Sequence, residues 1–489
     1  MELTQLLNSV KVIQVTGEIQ RKDVADIVYD SRKVQKNSLF VAIKGFQVDG
    51  HRFLQEAINK GAVGVVVEDD KSIPDDFISH SGISKILVSD SRKALAELSK
   101  GFYMDPTGTL KLIGITGTNG KTTTTFILRN ILQNSGFKTG LVGTIANYIG
   151  DEKIDSKLTT PESNDLNKMF YEMIQSNCKY AIMEVSSHSL VLKRVYGLDF
   201  KAAVFSNITS DHLDFHRSFE EYFEAKKILF DNLNTDSFAI VNADDKNSGP
   251  IVKDSVSRVF TYGISESADY QLKNIFYDLN GTEFTITHNK IDYNIQTSLI
   301  GTFNAYNAVS AFVTAHCMGI DTGRIIEGIK SAPQVPGRFE VLGRKNKKVI
   351  IDYSHTADSL EKALLAIREI VKDKSMIFTV FGCGGDRDKS KRPVMGKVAC
   401  DLSDRVFITS DNPRTENPFS IIEDIKKGII KNNYEIEENR ENAIKNAICN
   451  SDDNTVILIA GKGHENYQEI NGIRSHFSDR ETALKYLAE

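Results

Sequence analysis

The run "GITGTNGKT" at residues 114–122 combines glycines, a lysine and a threonine at spacings suited to holding the phosphates of a nucleotide. Gly117 and Gly120 let backbone N–H groups converge on an anion, and Lys121 adds a point charge. The Thr122 hydroxyl is placed to meet Mg²⁺ at the positive end of a helix. The match to G-x-x-x-x-G-K-[ST] is partial, because Ile115 stands where the first glycine belongs. Such a loop says nothing about what accepts a phosphoryl group.

Two further clusters narrow the chemistry. "MEVSSH" at 183–188 puts Glu184 and His188 where an apolar run ends, and "SNITSDHLDFHRSFEEYFEAKK" at 206–227 does the same with Asp211, His212, Asp214 and His216. A lone histidine is more often a packed residue, and "FEEYFEAKK" alone reads as a solvated helix face. Together, three neighbouring strand ends supply Lys121 and Thr122, then Glu184, then His212, which are the charges and metal ligands a Mg²⁺–ATP site needs.

These residues require a scaffold that ends several strands side by side. Residues 111–116 read as a strand and 121–133 as a helix, the context a phosphate loop demands. "YAIMEVS", "AAVFSNI" and "SFAIVNADD" are continuous apolar strands alternating with helical stretches, which implies a parallel sheet covered on both faces. Before them, "SLFVAI" and "GAVGVVVE" alternate with helical stretches at 54–60 and 93–103, a smaller α/β unit followed by a turn-rich linker, "MDPTGT". Residues 270–299 alternate polar and apolar side chains around Asn280-Gly281, predicting antiparallel hairpins attached to the central domain. Beyond "QVPGRFEVLG", the segments "KKVIIDYSH", "SMIFTVFGCGG", "DRVFITSDNPR" and "NTVILIAGKGHE" supply four more buried strands. The expected fold is α/β in three domains: an N-terminal α/β domain at 1–106, a P-loop ATPase-like doubly wound parallel sheet at 107–337, and a Rossmann-like α/β domain at 338–489. At about 150 residues per domain, a chain of 489 residues suits three.

A net charge of −5 gives no global attraction to nucleic acid or an anionic membrane. The five cysteines are scattered without a C-x-x-C pair, which disfavours a disulfide framework or a structural zinc site. No run approaches the roughly 18 apolar residues of a membrane span, and no signal-like start is present, so a cytoplasmic protein is expected.

"GTNGKTT", "MEVSSH", "DHLDFH" followed by "EAKKILF", "GTFNAYNA", "VPGRFE", "DYSHTADSL", "GCGGDRDKSKRP", "DNPR" and "GKGHE" occur in that order, and in them the chain resembles the Mur ligase family of peptidoglycan synthesis. Within it the likeness is to ligases that add a third residue to UDP-MurNAc-L-Ala-D-Glu. The resemblance implies that Gly117, Thr118, Asn119, Gly120, Lys121, Thr122 and Thr123 bind ATP, helped by Asn304, Arg338, Asp352 and His355 around the adenosine and phosphates. It implies Mg²⁺ on Thr122, Glu184, His212 and a carbamylated Lys226, with Lys121, Glu184, His212 and Lys226 as the catalytic set. Tyr29, Ser31, Phe46, Gln47, Asn119, Thr159, Thr160, Ser186, Leu192 and Arg194 would contact the UDP-MurNAc-dipeptide, although the family often has histidine at Phe46 and a polar residue at Leu192. The N-terminal domain would bind the UDP moiety.

Arg387, Asp411, Asn412, Pro413, Arg414, Gly461 and Glu465 match the positions that receive the incoming amino acid. By that resemblance, Arg387 would clamp its α-carboxylate while Asp411 and Glu465 hold an ammonium. A guanidinium at Arg414 pairs bidentately with a carboxylate and repels an ammonium, which favours meso-diaminopimelate over L-lysine and also admits meso-lanthionine. A carboxylate acylates poorly until phosphorylated, so the γ-phosphoryl acceptor would be the D-glutamyl side chain, giving an acyl phosphate that the amine attacks. The family's role is cell-wall biogenesis, and with it cell shape and division. The protein is expected to be a monomer that binds no nucleic acid and does not insert into a membrane. Two rivals are folylpolyglutamate synthetase, which lacks an N-terminal UDP-binding domain, and a regulatory nucleotide-binding ATPase without ligase chemistry.

Overall fold

Runs of valine, isoleucine and leucine bounded by turn formers become the strands, and the phosphate loop hangs from one of them. The structure is a computed structural model that describes residues 1–45, 48–209, 215–344, 347–372 and 375–488. Two compact units contain residues 1–269 with 310–325 and residues 270–309 with 326–489.

In the first unit, strands β1 (Val12–Thr16), β2 (Asp26–Val28), β3 (Ser38–Val41), β4 (Gly64–Val67) and β5 (Ser84–Val88) form a sheet ordered β1-β5-β4-β3-β2. It is parallel except where β1 meets β5. Every residue of β3 and β4 is buried, because helices cover both faces, so neither strand alternates. The turn-rich segment "MDPTGT" forms a built turn. Met104 and Asp105 are left-handed, Pro106–Thr109 is a helical turn, and Thr107 is fully buried.

The same unit carries β6 (Lys111–Thr116), β7 (Thr139–Val142), β8 (Ala146–Ile149), β9 (Glu152–Asp155), β10 (Tyr180–Glu184), β11 (Phe200–Phe205), β12 (Phe238–Asn242) and β13 (Arg258–Gly263). Their order is β13-β12-β11-β6-β10-β7-β8-β9, parallel from β13 to β7 and antiparallel beyond. Strand β6 therefore lies between β11 and β10, with Ile115 opposite Glu184 and Thr116 opposite Phe205. The three strand ends expected to share the chemistry are neighbours. Gly114 is required in mid-strand because a Cβ there would meet the Phe200 ring at 2.7 Å.

In the second unit, β14 (Tyr270–Asp278), β15 (Gly281–His288) and β16 (Ile291–Thr297) form the expected antiparallel meander. Tyr277 and Leu279 pack on the C-terminal core and the Tyr277 hydroxyl bonds Glu369, so the meander falls within the second compact unit. Strands β17 (Glu340–Arg344), β18 (Lys347–Asp352), β19 (Met376–Phe381), β20 (Arg405–Ile408), β21 (Tyr434–Ile436) and β22 (Thr455–Ala460) run in the order β17-β18-β22-β19-β20-β21. The four expected strands are β18, β19, β20 and β22. Short β21, with Glu435 and Ile436 exposed at an edge, has too little apolar character to be read from sequence.

Arg440, fully buried, braces the sheet end that carries the C-terminal loops. Its guanidinium donates to both Asp479 oxygens at 2.7 and 2.8 Å and to the Ala460 carbonyl at 3.0 Å. Removing one partner of a buried pair leaves an uncompensated charge, so Asp479→Ala should cost about 3–5 kcal/mol. Urea denaturation of the full chain measures this. A loss below about 1 kcal/mol would show that the pair does not brace the sheet.

Candidate active site

The phosphate loop leaves β6 at Gly117, whose φ of 146° and surroundings exclude a side chain: a Cβ would run into Ser206 Oγ and lie 2.9 Å from the Asn207 carbonyl. Asn207, at the end of β11, accepts from Thr118 N through its carbonyl at 2.9 Å and from Asn119 N through Oδ1 at 3.0 Å. Ser206 Oγ donates to the Asn119 carbonyl at 2.6 Å. Gly120, at φ 92°, caps the helix Lys121–Asn134, so Lys121, Thr122 and Thr123 form its first turn, where backbone N–H groups point toward an anion. Ser206 and Asn207 were not among the expected residues. Their signal was weak, since each is a common polar residue after a strand.

The carboxylate of Glu184, 1% exposed, is ringed by donors: Thr122 Oγ1 at 2.9 Å, Thr144 N at 2.8 Å and Thr144 Oγ1 at 3.0 Å. A carboxylate has about four acceptor positions, so one more electrophile can be received there. Hard oxygen donors from Glu184 and Thr122 stand side by side at the phosphate loop. Mg²⁺ typically takes one or two carboxylates and completes its shell with substrate phosphates and water, so this donor set fits it. His212, with Asp211 and Asp214, lies outside the described residues, as do Phe46 and Gln47. His216 is a packed residue, with Nε2 2.9 Å from Ser187 Oγ.

Lys226 is 1% exposed, lies over the Tyr222 ring at 4.6 Å and donates to the Gly117 carbonyl at 3.0 Å. Lys121 Nζ donates to the same carbonyl at 2.8 Å and to the Thr118 carbonyl at 2.9 Å. Two cations thus crowd one oxygen, an arrangement that attracts polyanionic phosphates and favours any change that makes one of the pair anionic.

Thr159, Thr160, Ser186 and Arg194 link to one another or to Thr144 beside Glu184. Thr159 Oγ1 is 3.0 Å from Thr144 Oγ1, Thr160 Oγ1 donates to the Glu184 carbonyl at 2.8 Å, and Ser186 N donates to Thr160 Oγ1 at 3.2 Å. Arg194 donates to the Thr160 carbonyl at 3.1 Å and to Glu162 at 2.8 Å. Leu192 follows the short helix Ser187–Val191 that Ser186 caps. Tyr29 and Ser31 belong to the N-terminal sheet and its following turn. The Tyr29 hydroxyl donates to Asp165 at 2.5 Å, and burial with that carboxylate raises its pKa far above the usual range. Ser31 Oγ donates to Glu56 at 3.0 Å.

In the second unit, the Arg338 guanidinium lies over the Tyr353 ring at 4.4 Å, and His355 Nδ1 is 2.9 Å from the Tyr353 carbonyl. Asp352 accepts from Phe339 N at 2.7 Å and from Ser354, while burial raises its carboxyl pKa. Asn304 Nδ2 donates to the Ile300 carbonyl at 2.9 Å. His464 joins this group unannounced by the sequence reading. Its ring is 5.2 Å from Tyr353, burial followed by Arg338 pushes its pKa down to about 3, and its Nδ1 has no partner among the described residues.

The amino-acid residues divide into two clusters. Asn412 Nδ2 donates to Glu465 at 2.8 Å, and fully buried Lys462 reaches Asn412 Oδ1 at 3.1 Å, Glu465 at 3.3 Å and Asp411 at 3.8 Å. Gly461 is left-handed, and a Cβ there would lie 2.7 Å from Asp411 Oδ2. Lys462 offsets one of the two negative charges of Asp411 and Glu465. In the other cluster Arg414, at φ 51°, donates to the Gly385 carbonyl at 2.6 Å beside Pro413. Arg387 is exposed and makes no hydrogen bond or ion pair among the described residues.

Glu416, two residues beyond Arg414, is held at about 2 rather than 4.5, chiefly by the hydrogen bond from Arg392. A depressed carboxyl pKa contributes stability that is fully present above the unfolded value and is lost as pH falls through the folded one. Between about pH 4.5 and pH 2, wild-type stability should therefore fall more steeply than that of Glu416→Gln. Denaturation midpoints measured at intervals across that window check this, and parallel curves would contradict it.

Three family descriptions match the chain: "Mur ligase family, catalytic domain" at 23–103, "Mur ligase middle domain" at 115–315 and "Mur ligase, glutamate ligase domain" at 337–463. A Clostridium acetobutylicum protein named UDP-N-acetylmuramoyl-L-alanyl-D-glutamate--2,6-diaminopimelate ligase 1 is 44% identical over 493 residues, covering 100% of each chain. A Clostridium botulinum protein of the same enzyme name is 44% identical over 472 residues, 96% of each. A solved structure titled for that ligase superposes with a TM-score of 0.72 at 29% identity, covering 100% of this chain and 99% of the other.

Proposed function

Since the chain belongs to the Mur ligase family, we propose that it is the ATP-dependent ligase that joins meso-diaminopimelate to the D-glutamyl side-chain carboxylate of UDP-MurNAc-L-Ala-D-Glu during peptidoglycan synthesis. The observation that carries this reading is the convergence of Lys121, Thr122, Glu184 and Lys226 on one phosphate loop. In it, residues 1–106 bind the uridine nucleotide, 107–337 hold ATP and 338–489 select the amino acid. The protein would work in the cytoplasm, where ATP and uridine nucleotides are available.

The phosphate-loop residues 117–123 would cradle the β- and γ-phosphates, with Lys121 drawing charge from the oxygens as the phosphoryl group moves. Asn304, Arg338, Asp352 and His355 would serve the adenosine and phosphates. Thr122, Glu184, His212 and a carbamylated Lys226 would hold Mg²⁺, which when bound supplies charge neutralisation between two anionic reactants. Carbamylation joins the neutral Lys226 amine to CO₂ with loss of a proton, so a cation crowded against Lys121 becomes an anion. The dipeptide nucleotide would lie against Tyr29, Ser31, Phe46, Gln47, Asn119, Thr159, Thr160, Ser186, Leu192 and Arg194. The D-glutamyl carboxylate attacks the γ-phosphorus, ADP leaves, and the amine then displaces phosphate from the acyl phosphate.

For the amino acid, Arg387 would take the α-carboxylate and Arg414, with Asn412 and Pro413 beside it, the distal one. Asp411 and Glu465 carry two negative charges against the single charge of Lys462, so one substrate ammonium completes neutrality beside Gly461. Incubation with UDP-MurNAc-L-Ala-D-Glu, Mg-ATP and diaminopimelate should release ADP and yield the tripeptide mass, with a carbamate signal from ¹³C-bicarbonate that is absent in Lys226→Ala. Rapid ADP release without either acceptor would instead favour a regulatory ATPase.

Arg414 sets the choice of amino acid. Leaving a largely desolvated distal carboxylate unpaired costs about 2–5 kcal/mol, so Arg414→Ala should lower kcat/KM for diaminopimelate about 30-fold or more. Turnover of lysine should stay low or rise, because a repulsive charge has gone. Arg387→Ala should impair both. A diaminopimelate-to-lysine ratio that Arg414→Ala leaves unchanged would defeat the assignment.

A further inference from the structure

We propose that Arg392, acting with Glu416, is a positioning residue for amino-acid selection: it locks two loops together so that the guanidiniums of Arg387 and Arg414 keep a fixed separation. The identity of the substrate rests on the functional reading above, while the lock itself rests on geometry.

Arg392 lies in the first turn of the helix Lys391–Leu402 and has no exposure, so it cannot touch a substrate. Its Nη1 donates to Glu416 Oε2 and to Asp424, each at 3.0 Å, and its Nη2 donates to Glu416 Oε1 at 2.8 Å and to the Gly384 carbonyl at 3.3 Å. Glu416 Oε1 also accepts from Asp386 N at 2.6 Å. One carboxylate thereby joins the loop that carries Arg387 to the loop that carries Arg414. Lys389 adds an ion pair to Glu416 at 3.1 Å.

A second latch closes the exposed rim. Thr415 Oγ1 donates to the Asp386 carboxylate at 2.8 Å, and Thr415 N does so at 3.2 Å. Inside the rim, Gly385 N donates to the Asn412 carbonyl at 2.9 Å and Arg414 Nη1 donates to the Gly385 carbonyl at 2.6 Å. A Cβ on Gly385 would run into the Pro413 carbonyl, so the loops have no slack between them.

A buried guanidinium is a costly way to fill this volume, since its Nε finds no partner among the described residues and an apolar pair of similar size is often as stable. What the planar fork supplies is direction, because two parallel hydrogen bonds fix both distance and angle. A substrate gripped at two carboxylates is sensitive to the separation of the two grips. One gripped at a single carboxylate is not.

Arg392→Lys keeps the charge but loses the fork. It should raise KM for diaminopimelate about tenfold, lower the diaminopimelate-to-lysine ratio of kcat/KM, and leave KM for ATP unchanged. Thr415→Val removes the hydroxyl part of the rim latch at an exposed position and should raise KM for diaminopimelate about fivefold with no change in Tm. Both are assayed well below the Tm of each variant, and Thr415→Val decides the matter if Arg392→Lys does not fold. Unchanged KM and ratio, even with a lowered Tm, would make the network merely structural and overturn the proposal. A wild-type protein inactive with diaminopimelate would overturn the functional reading instead.

Discussion

The constraint on which the first unit depends is the register of β10 against β6, which sets Glu184 opposite Ile115 and brings its carboxylate to Thr122. A slip of one residue would turn Glu184 to the other face of the sheet and leave Thr122 and Thr144 without their acceptor. The neighbouring register of β11 sets Ser206 and Asn207 beneath the phosphate loop, where a side chain at Gly117 would not fit. Strand pairing therefore decides where Glu184, Ser206 and Asn207 stand around the loop.

The second unit uses a different device. Two of its helices and the segment just after β22 carry buried cations, Arg392, Arg440 and Lys462, each with carboxylate partners. Such pairs add little net stability compared with apolar packing, because desolvation offsets most of the attraction. They define where loops stand and how much negative charge is left over. Around Lys462 one negative charge is left over, whereas Arg387 engages no partner among the described residues, an arrangement that in the proposed reading would suit one ammonium and one carboxylate. Opposite charges on adjoining loops are what an amino acid, with both charges of its own, requires.

Much of the chemistry was legible in the chain order. The glycines and lysine of the phosphate loop and Glu184 at the end of an apolar run declare themselves by residue type and position, whereas the "DNPR" and "GKGHE" segments are read through the family resemblance. Thr144, Ser206, Asn207, Lys462, Arg392 and His464 do not declare their individual roles. Each is an ordinary residue whose importance comes from a neighbour distant in sequence, such as Asn207 to Asn119 or Arg392 to Glu416.

By itself, the sequence determined the α/β class, the strand–turn–helix of the phosphate loop and the antiparallel meander, because side-chain periodicity and turn chemistry act over a few residues. It determined the family as well, through motifs spread over nearly the whole chain. Only the tertiary structure decided that Tyr277 and Leu279 of the meander pack on the C-terminal core, that Thr107 of "MDPTGT" is buried, and that Lys121 and Lys226 share one carbonyl. Those outcomes depend on burial and on hydrogen bonds between segments tens of residues apart or more, and no local pattern carries that information.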